Sequence, residues 1–149
     1  DKVFILEVSL GVEHYPIGLT ADSAMNYDLR NYLLDFFLYR RMDAYRFSSM
    51  LMRQYLSLPA YAANALYNLL GSHDTPRIAT LTGNMRDVLY TLYAFLFVTY
   101  GSPSIYYGDE VGVEGLGDPD CRRPMPWDEE AWDKELLSHV KRMISLRKR

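Results

Sequence analysis

Val3-Phe4-Ile5-Leu6 is a short, unbroken apolar run that predicts a buried strand ending at the acid Glu7. A loop punctuated by Gly11, Pro16 and Gly18 follows, then a weaker strand over Ser23–Tyr27. From Asp28 to Phe37 the apolar positions Leu29, Leu33, Phe36 and Phe37 recur at helical spacing, with Asp28 placed to cap the helix. A second helix is predicted over Tyr45–Leu56, ending ahead of Pro59. Ala65-Leu66-Tyr67-Asn68-Leu69-Leu70 reads as another buried strand, and it runs into the polar loop Gly71-Ser72-His73-Asp74-Thr75-Pro76-Arg77. Met85–Tyr100 is a long, largely apolar helix stopped by Gly101. A strand over Pro103–Tyr107 is closed by Gly108-Asp109-Glu110. A Gly/Pro-rich loop containing Asp118–Trp127 and an amphipathic helix from about Glu130 to Lys148 complete the pattern.

Strand, loop and helix thus recur four times, which predicts an α/β fold with parallel strands joined by right-handed crossovers. The 149 residues suit one domain, and 49% hydrophobic content is ample for a core. No repeat, low-complexity tract or linker interrupts it. The apolar run Val88–Tyr100 is shorter than the about 20 residues a membrane span needs, and Arg86 and Asp87 flank it. A helix buried against a sheet accounts for it.

A net charge of −3 offers no basic stripe for a nucleic acid, and no segment suits a membrane. The single cysteine, Cys121, excludes an internal disulfide and a multi-cysteine zinc site. No basic stretch followed by an apolar one opens the chain, so a secretory leader is not expected among these residues. Aromatic content is 14%, with 13 Tyr. Tyrosines suit sugars, because the ring stacks on apolar C–H faces while the hydroxyl hydrogen-bonds, but they serve equally well as core.

Polar, geometry-demanding residues at the C-terminal ends of apolar strands are where α/β barrels place their active sites. Glu7 ends the first strand and Asp74 follows the third. Two carboxylates on one rim meet the demand of glycoside hydrolysis, in which one acid donates a proton and another stays charged. An acid ending a buried strand is also placed for a pKa raised by desolvation. Glu7 taken alone fits a strand-end acid paired with an arginine as well. His73 fits a donor to a sugar hydroxyl or a structural histidine. Arg77 is expected to orient a carboxylate through a bidentate contact. Asp43, in Arg41-Met42-Asp43-Ala44, reads as a surface or cap residue.

Five stretches carry a more specific resemblance: Phe4-Ile5-Leu6-Glu7-Val8, Asp22-Ser23-Ala24-Met25-Asn26-Tyr27, Leu69 to Arg77, Ile105-Tyr106-Tyr107-Gly108-Asp109-Glu110, and the Asp118–Trp127 loop. In these, and in their order, the chain resembles the C-terminal half of the catalytic barrel of the α-amylase family, glycoside hydrolase family 13. Ser72 favours the subgroup of neopullulanases, cyclomaltodextrinases and maltogenic amylases.

The resemblance implies that residues 1–149 form part of a (β/α)8 TIM barrel, strands five to eight with their helices, without its N-terminal half or any C-terminal β-domain. It implies a retaining hydrolase of α-glucans such as maltodextrins, cyclodextrins and pullulan. Glu7 would be the general acid/base and Asp74 the stabilising carboxylate. His73, Asp118, Arg122, Tyr27 and Arg77 would serve substrate binding. No metal or cofactor is implied at the site, a structural calcium in the parent enzyme being compatible with the resemblance. The family's nucleophile, an Asp in a Gly-x-Arg-x-Asp strand end, would precede Asp1, so this chain alone is expected to be inactive. Its partners would be an α-glucan oligosaccharide and either the missing half-barrel or a second copy of the chain. The subgroup favours the cytoplasm, although the sequence itself leaves location unknown.

One departure stands out. The family's aromatic residue two places after the acid is here Ser9, which removes a wall of the leaving-group subsite. Two rival readings stand beside the enzyme: a non-catalytic carbohydrate-binding module, and a structural half-barrel whose open edges make it dimeric or aggregation-prone. Whichever reading holds, the isolated half barrel is expected to be dimeric or aggregation-prone, with the runs Val3–Leu6 and Ala65–Leu70 facing solvent.

Overall fold

A computed structural model describes residues 2–149, and the chain divides into two compact units. The first comprises Asp1–Leu69 with Thr99–Ser104, and the second Leu70–Val98 with Ile105–Arg149.

The first unit holds four very short strands, β1 (Ile5–Leu6), β2 (Ser23–Ala24), β3 (Tyr67–Asn68) and β4 (Ser102–Pro103). β1 pairs in parallel with β2, and β3 with β4. A single parallel bridge, Met25↔Tyr67, links the two pairs. The strands therefore run parallel and neighbour one another in chain order, as the recurring pattern predicts. β1, β2 and β3 each occupy only part of their predicted runs, whereas β4 shares only Pro103 with the strand predicted over Pro103–Tyr107, because backbone pairing with β3 ends there. Leu66, Leu69 and Leu70 are nonetheless buried, which corrects the expectation that Ala65–Leu70 faces solvent. Val3, Phe4 and Ile5 are 73%, 62% and 48% exposed. The first strand is thus not the buried element its composition suggests.

Helix α1 (Tyr27–Leu33) is capped two residues earlier than predicted, because the side chain of Asn26, not Asp28, accepts from the Leu29 amide. Asp28 has a different task. Buried, it accepts from the amides of Gly11 and Val12 at 2.7 and 3.0 Å and so pins the loop that follows Glu7. The helix continues as a wider π-type turn over Leu34–Leu38, where Phe36 stacks on Phe47 at 4.4 Å.

Helix α2 (Ala44–Ser57) is capped by Asp43, whose carboxylate accepts from Arg46 N, in line with its reading as a cap. Ala60–Ala65 forms a short helix, α3, that the strand expected from Ala65 had partly hidden. Alanine is the strongest helix former, and Pro59 supplies the start. The core of this unit gathers Val12, Ile17, Ala24, Leu58, Ala62 and Leu66.

Buried amides tie these elements together. Asn26 Nδ2 donates to Gln54 Oε1 (3.1 Å) and Asn68 Oδ1 (2.8 Å), while Gln54 Nε2 returns a bond to Asn26 Oδ1 (2.9 Å). Tyr100 Oη donates to Gln54 Oε1 at 2.7 Å, and Asn68 Nδ2 donates to the Tyr100 carbonyl. Gly101, at φ +87°, is required beside this pair, because a Cβ there would collide with the Asn68 amide.

In the second unit, α4 (Ile78–Thr82) follows the Gly71–Arg77 loop, an element the sequence pattern had not suggested. α5 (Arg86–Val98) packs along α6 (Lys134–Arg147). Leu89, Leu92 and Leu96 of α5 and Leu136 and Val140 of α6 are buried, each large side chain contributing about 1.5–3 kcal/mol of apolar burial. α6 begins four residues later than predicted, because Asp133 is its cap and accepts from Leu136 N at 2.9 Å. Among the described residues no helix is long and apolar enough to cross a membrane.

Three tyrosines are held protonated by their surroundings. Burial first, then the carboxylates of Asp28 and Glu13, push Tyr32 up to about 12. Burial also raises Tyr100, and raises Tyr93 well above its ordinary value, where Asp109 and Glu110 add to it. A pKa higher in the folded than in the unfolded chain stabilises fully below the unfolded value of about 10 and is lost as pH rises through the folded value. Melting temperatures are therefore expected to fall as pH climbs past about 10. Phenolate absorbance should then show these tyrosines ionising above the ordinary value of about 10 for as long as the chain stays folded. Their ionisation near the ordinary value of about 10 in a still-folded chain would contradict the assignment.

Candidate active site

The Gly71–Arg77 loop is shaped by Ser72. Its Oγ accepts from Asp74 N at 3.1 Å, and its own amide donates to Thr75 Oγ1 at 3.0 Å. This turn presents His73 and Asp74 side by side, with Nε2 and Oδ2 3.3 Å apart. The second loop comes to the same place. Arg122 Nη2 stands 3.4 Å from Asp74 Oδ1, and its Nε 2.7 Å from Asp118 Oδ1. Arg122 Nε also donates to the His73 carbonyl at 3.2 Å.

His73, Asp74, Asp118 and Arg122 thus form one cluster, and each side chain is about half exposed. Ion pairs this open to water contribute roughly 0–1 kcal/mol to stability. Their donors and acceptors remain within reach of a polyhydroxylated ligand. Farther along the second loop, Asp120 is held below the usual carboxylate range by the Leu116 amide and by Arg123.

Arg77 lies elsewhere. Its side chain has no exposed surface. Nε donates to the Cys121 carbonyl at 2.7 Å, and Nη1 donates to Asp109 Oδ1 at 3.0 Å and to the Tyr107 carbonyl. The guanidinium also sits over the rings of Tyr106 and Tyr107, 4.2 and 4.6 Å from their centroids. It does hold a carboxylate, as expected, but through one nitrogen, and that carboxylate is Asp109. A side chain without exposed surface cannot touch a sugar, so direct substrate binding by Arg77 is corrected. Gly71 fits this arrangement, since a Cβ there would run into Asp109 Oδ2.

Glu7 and Tyr27 belong to the first unit. Glu7 follows β1 and is exposed, so the burial expected of an acid ending a covered strand is absent. Ser9, at the position of the family's aromatic residue, is exposed too. Tyr27 is half-buried at the start of α1, directly after the amide-bonded Asn26. Among the described residues, neither unit by itself brings three His, Cys, Asp or Glu ligand atoms together.

The sequence reading missed Asp28, Asp109 and the Cys121 thiol, which donates to the His73 carbonyl at 3.1 Å. Asp109 was visible only as part of a strand stop. Nothing in its local pattern announces a partner 32 residues away.

Residues 6–134 match the family profile described as alpha amylase, catalytic domain. The chain belongs to the α-amylase family. Among this family's members it is 46% identical to a cyclomaltodextrinase of Geobacillus thermopakistaniensis over 127 residues, covering 85% of this chain and 22% of that protein. Neopullulanase 2 of Thermoactinomyces vulgaris is 39% identical over 150 residues, covering 100% of this chain and 26% of the relative. The crystal structure of maltogenic amylase from S. marinus superposes with a TM-score of 0.91 at 43% identity, over 98% of this chain and 21% of that one. The chain therefore shares the family's α/β fold, and spans only about a quarter of the length of these curated relatives. The relatives carry the names of the subgroup that the motifs resemble.

Proposed function

We propose that this chain is the acid/base-bearing half, strands five to eight, of the (β/α)8 barrel of a retaining glycosidase. The enzyme cleaves α-glucosidic bonds in maltodextrins, cyclodextrins and pullulan. The observation that carries this reading is the exposed His73–Asp74–Arg122–Asp118 cluster, built from two strand-end loops in the family's order. The names of the relatives, cyclomaltodextrinase, neopullulanase and maltogenic amylase, support the substrate class.

In this mechanism Glu7 protonates the glycosidic oxygen as the bond to the anomeric carbon breaks. The nucleophilic Asp, carried on the strand before Glu7 in the longer protein, forms the glycosyl ester. Glu7, now a carboxylate, takes a proton from the water that hydrolyses it. Asp74 stays charged, accepts from sugar hydroxyls, and stabilises the oxocarbenium-like centre. His73 donates to a hydroxyl of the same sugar. Asp118 and Arg122 grip the unit on the non-reducing side, while Ser9 leaves the leaving-group side more open.

The test compares two polypeptides. The 149-residue chain is expected to show no hydrolysis of maltotriose or cyclodextrin, and the longer protein that carries it is expected to hydrolyse both. Hydrolysis by the short chain, or none by the long one, overturns the reading.

The grip predicts a further result. Replacing Asp118 or Arg122 by Ala in the longer protein should raise KM for maltodextrins, at about 1–3 kcal/mol per charged hydrogen bond lost. Unchanged kinetics in both variants would reduce the pair to a loop brace.

A further inference from the structure

The exposed cluster does not hold itself. Arg122 makes its contacts to Asp74 and Asp118 with about half of each side chain in water. Such pairs are worth too little to fix a long, rotatable arginine against solvent competition. Yet Cys121, the residue before Arg122, is gripped from two directions. Its carbonyl accepts from Arg77 Nε at 2.7 Å, and its thiol donates to the His73 carbonyl at 3.1 Å. Cys121 is itself fully buried.

Arg77 is correspondingly rigid. Two tyrosine faces and the Asp109 carboxylate hold its guanidinium, and its backbone amide donates to the Gly115 carbonyl at 2.9 Å. It lies three residues after Asp74 on the first loop and reaches across to the second. A buried, always-charged planar donor is suited to this task, because it cannot lose its proton and its fork fixes direction as well as distance.

We propose that Arg77 is a positioning residue for the catalytic cluster. Through the Cys121 carbonyl it sets where Arg122 stands, and hence the geometry in which Arg122 meets Asp74 and Asp118. Arg77 reaches no substrate. Its effect on turnover travels through the Cys121–Arg122 backbone, so the rigidity of a dry ion pair is lent to a wet one. The kinetic consequence rests on the function proposed above, but the positional consequence does not.

The test has a structural and a kinetic arm, both in the longer protein that carries this chain. Arg77→Lys keeps a charge for Asp109 but removes the Nε donor to Cys121. Its crystal structure is expected to show Arg122 withdrawn from Asp74, beyond hydrogen-bond distance. Arg122 found at its original distance from Asp74 overturns the proposal. If Arg77→Lys does not fold, Cys121→Ala, which cuts the thiol tether to the His73 carbonyl and keeps the Arg77 bond to the Cys121 carbonyl, is read by the same distance: Arg122 is expected to stay at Asp74, and its withdrawal would assign the positioning to the thiol and overturn the proposal.

The kinetic arm is a double-mutant cycle on maltotriose with Arg77→Lys and Arg122→Ala. If Arg77 acts through Arg122, adding Arg122→Ala to the Arg77→Lys protein should change kcat/KM by less than about threefold. In the unaltered background the same substitution should cost about tenfold or more. Full additivity, with folded fraction corrected, would mean that Arg77 only stabilises the fold and would sink the proposal. Arg122→Ala without effect in the unaltered background, alongside a displaced Arg122 in the crystal, would refute the sugar grip while leaving the positioning role standing.

Discussion

Replacing Glu7 by Gln in the longer protein is expected to lower kcat for maltotriose by about 10²–10⁴-fold, the range that a positioned general acid contributes. The amide preserves size and hydrogen bonding, so the fold around β1 should survive. What is lost is the proton that lets a poor leaving group depart. Activated aryl glucosides, whose phenolate leaves with little protonation, should suffer much less in the step that forms the glycosyl intermediate. The contrast between the two substrates is what distinguishes an acid from a residue that merely binds. Steady-state rates on both, with pre-steady-state burst measurements for the aryl substrate, check it. A Gln variant that is fully active on maltotriose would remove Glu7 from the mechanism.

The second large effect concerns stability. Asp109→Ala is expected to cost about 3–5 kcal/mol, because it leaves the Arg77 guanidinium buried without its counter-charge. The Asp109 side chain is 2% exposed and that of Arg77 has no exposure at all. Neither can recover hydration without opening the loops around them. Asp74→Ala removes a carboxylate that also faces an arginine, but in water, and should cost no more than about 1 kcal/mol. Denaturant unfolding of the two variants side by side provides the measurement. Equal midpoints would show that burial gives the Arg77–Asp109 pair no special weight.

Much of the architecture was legible because apolar runs and turn residues alternate cleanly. Four parallel strands in chain order, the helices Ala44–Ser57 and Arg86–Val98, and the loops after β3 and β4 all follow from that pattern. The errors share one cause: a local signal was outweighed by a distant partner. Asp28 looks like a helix cap, yet Asn26 takes that place because the helix starts earlier, which frees Asp28 for two amides 16 and 17 residues away. Ala65–Leu70 looks like six residues of strand, but pairing is available only to Tyr67–Asn68, and the alanines before them coil into α3. At the site, the residue types and spacing pointed to His73, Asp74, Asp118 and Arg122, which the fold gathers into one cluster. They misplaced Arg77, because an arginine beside a polar strand-end loop looks the same in sequence whether it faces a ligand or the core.

The buried amides of the first unit have one more consequence. Ladders two residues long are too brief to define their own alignment, since a slipped pairing would forfeit few backbone bonds. A slip of one position in β3 would turn Asn68 to the opposite face of the sheet and exchange its place with an apolar neighbour. The Asn26 amide and the Tyr100 carbonyl would then each lose their bond to Asn68, at roughly 1–3 kcal/mol apiece. Alignment of the strands is therefore written in side chains and not in the ladder. Anyone who rebuilds this sheet with idealised valines and isoleucines should expect a family of shifted sheets in place of one.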